Sequence, residues 1–102
     1  MNEDIRQEIL AIGQRAHSLT ETAYQQHPAT RNDPDWLSKQ GILLADMSLH
    51  LLQTSLHQET VSSEELKRNL YSILTISEQF LPEHGLKECA DRLYQETFVA
   101  PT

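Results

Sequence analysis

Residues 41–57, GILLADMSLHLLQTSLH, constrain the fold more than any other stretch, because they are apolar on two sides. At about 100° per residue, Ile42, Ala45, Leu49, Leu52 and Leu56 form one stripe and Leu43, Leu44, Met47 and Leu51 a second, roughly opposite. Ser48 and Ser55 bridge the stripes on one flank; Asp46, His50, Gln53 and His57 occupy the other. A helix apolar on two sides needs cover on two sides, so this one is expected at the centre.

Local signals place other helices around it. Asn2 can cap a first helix whose opening turn holds Glu3 and Asp4, complementing the dipole. Ile5, Ile9, Ile12, Ala16, Leu19 and Ala23 follow at alternating spacings of four and three, which predicts one narrow buried seam. Leu10, His17 and Tyr24 recur beside Gly13 on a different face, expected to be surface. His27-Pro28 ends this helix, since the residue before proline is pushed out of the α region. Asp33 at N-cap and Pro34 at the first helical position start the second. Ser62 and Glu65 form a capping box, with Val61 and Leu66 placed as a hydrophobic staple. The third helix is expected to bury Leu66, Leu70, Ile73, Leu74, Ile76, Phe80 and Leu81 before Pro82 and Gly85 break it. A shorter fourth helix turns Leu86, Cys89, Ala90, Leu93 and Tyr94 inward. The pattern predicts an all-α, antiparallel four-helix bundle, three long helices and a shorter C-terminal one, as a single domain over residues 1–102.

Charge narrows the function. Fifteen acids against eight bases leave a net charge of −7, and apart from Lys67-Arg68 the bases stand singly. Neither nucleic acid nor an anionic membrane surface is an expected partner for such a surface. Cys89 is alone, so no intramolecular disulfide framework exists, and a reducing, cytoplasmic setting is expected. No apolar run approaches the length of a membrane span.

The residues offer three kinds of chemistry. Asp46 and His50 lie at i and i+4, near enough to chelate one ion; His57 sits two turns beyond His50, about 10 Å by helix rise. A third ligand would have to come from another helix, and the paired Glu-x-x-His motifs of di-iron bundles are absent, so no metal is assigned. Ala16-His17-Ser18-Leu19 resembles the start of the histidine phosphotransfer motif over four residues. Thr20 and Glu21 stand where that family has Lys and Gly, and a carboxylate there repels a phosphate. Cys89 on an inward face is an inert packing thiol. The expectation is a non-enzyme without a cofactor.

What remains is contact through the surface. The candidate partner-binding residues are Leu10, His17, Tyr24, Trp36, Phe98 and Val99. The excess apolar width of the central helix also suits a homodimer. From Ser63 to Leu74 the chain runs SEELKRNLYSIL, an acid-rich opening turn followed by a leucine and aromatic face. It follows a Leu-rich helix and precedes a break and a short helix. This layout, over roughly residues 37–95, resembles class II bacteriocin immunity proteins. The resemblance implies a cytosolic, non-catalytic bundle that shields a membrane receptor, with specificity in the segment from Pro82 to Thr102. Many members of that family are Lys-rich, whereas this chain is acidic. The leading expectation is a protein of immunity, antagonist, chaperone or adaptor type. The alternatives are a metal or small-ligand sensor using Asp46, His50 and His57, and a structural dimerisation module.

Overall fold

The computed structural model describes residues 1–98, with side chains to Gln95. The chain is all-α: α1 (Glu3–Gln26), α2 (Trp36–Leu56), α3 (Ser63–Ser77) and α4 (Leu86–Phe98). Asn2 caps α1, its Oδ1 accepting from the N–H groups of Asp4 at 2.6 Å and Ile5 at 3.3 Å. Ser62 caps α3 by accepting from the Glu65 N–H at 3.3 Å. The second helix starts later than expected: Asp35, not Asp33, is its N-cap, and it makes no side-chain cap bond. The Asp33 carboxylate instead accepts from the Thr30 N–H at 2.8 Å, closing the loop after Ala29. At the α3–α4 break, Glu83 and Gly85 take positive φ angles of 69° and 72°. That conformation is easy for glycine alone, and it lets the chain reverse there.

The helices pack in chain order, α1 on α2, α2 on α3 and α3 on α4, as a four-helix bundle in which no other pair meets among the described residues. Neighbours run antiparallel. Arg6 near the start of α1 reaches Leu56 and His57 at the end of α2, and Tyr24 meets Lys39 at the opposite end. Thr54 pairs with Asn69 at one end of the α2–α3 contact and Gln40 with Gln79 at the other. The expectation that α2 is central holds, but it shares that place with α3.

Packing in sequence makes a slab of 45 × 42 × 20 Å. Its radius of gyration is 15.6 Å, where a compact chain of about 100 residues has about 13 Å. Only Ala29, Ile76 and Ala90 are buried apolar residues among those described, and no large side chain is fully enclosed. Two residues expected in the core of α3 lie past its end: Phe80 and Leu81 are exposed in the turns that follow Ser77.

Candidate functional site

Two seams of α1, offset by one residue, have opposite surroundings. Arg6, Leu10, Gly13, His17, Thr20 and Tyr24 repeat at four and three, and this is the seam laid against α2. Gly13 sets the approach: a Cβ added there would stand 2.7 Å from Leu52 Cδ2, so the helices meet where α1 has no side chain. The Arg6 guanidinium donates to the carbonyls of Leu56 and His57, the latter at 3.2 Å. It thereby supplies a positive charge to the end of α2, whose last turn has no basic residue. At the far end the Lys39 ammonium lies 4.7 Å from the Tyr24 ring centroid.

The a/d seam expected to be buried is the one turned outward. Ile5, Ile12 and Leu19 are 53%, 57% and 70% exposed, and Ala23 is exposed too; Ile9 and Ala16 are half-covered. The reason is topological. A buried a/d seam needs a second neighbour for α1, and α1 touches α2 alone.

Midway along the packed seam lies a polar cluster. Asp46, on the polar flank of α2, is only 6% exposed. Its Oδ1 accepts from the Thr20 hydroxyl at 2.6 Å, a short charge-assisted bond. The same oxygen is 3.5 Å from His17 Nε2, and Oδ2 is 3.5 Å from His50 Nε2. The two imidazoles meet edge to face, centroids 4.5 Å apart, with their Nε2 atoms at 2.9 Å. Glu21 Oε2 lies 3.9 Å from the other His17 nitrogen. An open depression of about 400 Å³ adjoins the cluster, with His50, Leu10, Gln14, Gln53, His57 and Glu65 on its walls.

The structure distributes the residues singled out in the sequence. Leu10, His17 and Tyr24 are half-buried on the α2 side of α1 rather than on an open face. Trp36 is half-buried at the start of α2, and its Nε1–H donates to Gln79 Oε1 at 2.8 Å. Phe98 is the last residue of α4, its side chain beyond those described, and Val99 lies outside the described residues. Asp46 and His50 come together as their spacing required. His57 is exposed and not among their partners. The third member is His17, which sequence reasoning placed on a surface. The signal that could have found it is the match of two rows of mixed character, Arg6, Gly13, His17 and Thr20 against Leu56, Leu52, His50 and Asp46 in antiparallel order.

No helix among the described residues is long and apolar enough to cross a membrane. No family model, curated protein or solved structure matches the chain.

Proposed function

We propose that this chain is a non-catalytic, cytosolic interaction protein whose first partner is a second copy of itself. The observation that carries the reading is the outward seam of α1, with Ile5, Ile12 and Leu19 exposed at intervals of seven. Three large aliphatic side chains in a heptad row are a coiled-coil seam without its mate. Surface area supports the same reading. A compact monomer of 11.7 kDa exposes about 5,900 Å², and this chain exposes 7291 Å². Covering a surplus on the order of 1,000 Å² on each of two copies gives an interface in the range of permanent dimers.

Charge favours an antiparallel pairing centred on Ile12. It sets Ile5 of one copy near Leu19 of the other and Glu8 near Arg15, so opposite charges flank the apolar row. The dimer then presents its acidic surface, net −7 per chain, to a further protein in the manner of an immunity, antagonist or adaptor protein.

Sedimentation equilibrium from about 1 to 200 μM tests the first step. The expected result is twice the chain mass for the native protein, and a monomer of unchanged helical circular dichroism for Ile12→Glu. A native chain that stays monomeric across the range overturns the reading.

A further inference from the structure

We propose that His17, Asp46 and His50 form a binding site for one divalent late first-row transition ion, with zinc the representative. The three residues each offer a ligand atom, and these atoms lie within 4.8 Å of one another. Donors about 2.0–2.1 Å from a common ion are about 2.9 Å apart at a right angle and about 3.4 Å apart at the tetrahedral angle. The separations here are 2.9 Å between the imidazole nitrogens, 3.5 Å from His17 Nε2 to Asp46 Oδ1 and 3.5 Å from His50 Nε2 to Asp46 Oδ2. The two imidazole nitrogens therefore already stand at the spacing of a metal's coordination face, each with one carboxylate oxygen beside it, and a single Asp46 oxygen closes the triangle within 4.8 Å.

The chemistry of the donors agrees. The two imidazoles bring the same ring nitrogen, Nε2, to 2.9 Å from each other, so with neutral rings either one nitrogen carries a proton or two lone pairs oppose each other. A cation between them satisfies both lone pairs together with the buried carboxylate. Two imidazoles and one carboxylate suit zinc, cobalt, nickel or iron(II) better than the hard calcium and magnesium ions, which take oxygen ligands.

Beside the triangle stand one group that orients it and one further carboxylate. The Thr20 hydroxyl holds Asp46 at 2.6 Å, while the Glu21 carboxylate, 3.9 Å from the back nitrogen of His17, is too far for a hydrogen bond and adds negative charge beside the site. Ligating carboxylates are commonly held by an outer partner such as Thr20. Access is through His50, whose side chain is 41% exposed, against 17% for His17 and 9% for Asp46. Three protein donors with one solvent side leave a position for water or an incoming ligand, unlike the closed four-ligand sites of purely structural zinc. Because His17 belongs to α1 and the other two to α2, the ion clamps the two helices together.

The test uses the full chain after removal of metals with a chelator. Calorimetric titration with zinc is expected to show one saturable equivalent per chain, and cobalt(II) to give visible d–d bands displaced by zinc. His17→Ala and His50→Ala are each expected to weaken zinc at least tenfold, with helical circular dichroism checked for each. Asp46→Asn keeps the shape of the side chain and can still accept from Thr20, so a tenfold loss there reads the ligand charge in a chain that folds. His57→Ala, His84→Ala and Ile12→Glu are expected to bind as the native chain does. Non-saturable binding overturns the site, as do native affinities in His17→Ala and His50→Ala, or loss of zinc in His57→Ala. Loss in Ile12→Glu overturns a site within one chain and moves the ion to the interface between copies.

Discussion

The two seams of α1 carry the same four-and-three spacing and meet opposite fates. One, Arg6 through Tyr24, is mixed in character and lies packed; the other, Ile5 through Ala23, is uniformly apolar, and Ile5, Ile12 and Leu19 of it face outward. Hydrophobicity alone would have chosen the reverse. The packed seam wins its place because Gly13 lets the backbones close, Leu52 fills the space, and the polar members on both helices satisfy one another. The exposed seam has a larger apolar payload but no neighbour within the chain. The lesson is that a helix is buried on the side where a complementary surface exists, whatever the hydrophobicity of its other side.

Substitutions can break this contrast. The largest effect is expected from Gly13→Leu, which drives a side chain into Leu52, 2.7 Å from where its Cβ would stand. Overpacking of this kind costs about 3 kcal/mol, read as a shift in the urea midpoint. Gly13→Ala should cost far less, since the tip of Leu52 can rotate away and alanine gains about 1 kcal/mol in helix propensity. A Gly13→Leu chain as stable as the native one would remove Gly13 as the point of closest approach.

Next comes Asp46→Ala, which takes away the Thr20 hydroxyl's 2.6 Å charged acceptor and leaves it the His17 carbonyl at 3.0 Å. About 1 kcal/mol is expected, measured by the same denaturation without metal. Replacing Thr20 and Asp46 together should cost less than the sum of the single changes, because each loses the same bond.

On the outward seam, Ile12→Ser should shift the unfolding of the monomeric chain by no more than about 0.5 kcal/mol. It should nonetheless abolish the dependence of melting temperature on protein concentration that a dimer shows. Equal losses of monomer stability from Gly13→Leu and Ile12→Ser would erase the distinction between the seams.

The smallest effect is electrostatic. The Arg6 guanidinium, bonded at 2.7 Å, and then the Gln7 amide hold the Glu3 carboxyl well below its usual range, at about 2. A depressed carboxyl stabilises the fold fully above its unfolded value of 4.5 and loses that contribution as pH falls from there toward 2. The pair is exposed, so salt should weaken the effect. Comparing native and Glu3→Gln chains in urea at pH 5.5 and at about pH 3 should show the difference narrowing at the lower pH.

Much of the architecture was legible in the residues. The Asn2 and Ser62 caps, the break at His27-Pro28 and the doubly apolar stretch at Gly41–His57 act within a few residues of themselves. They therefore announced four helices and the central place of α2. Boundaries suffered where one side chain had two possible uses: Asp33 could cap α2 or close the preceding loop, and it closes the loop. Phe80 and Leu81 continued the α3 pattern in sequence, while the chain had already turned out of the helix.

The histidine–carboxylate cluster was half legible. Asp46 and His50 share a helix face, so their pairing follows from i and i+4 spacing. His17 lies 33 residues from His50, and no local rule links them. By itself the sequence determined the helices, their caps and their apolar stripes, because these depend on neighbours along the chain. Only the tertiary structure decided which stripe of α1 is covered and which titratable groups face one another. Those outcomes depend on the register between α1 and α2, and that register is set by how closely two surfaces can approach at Gly13 and Leu52.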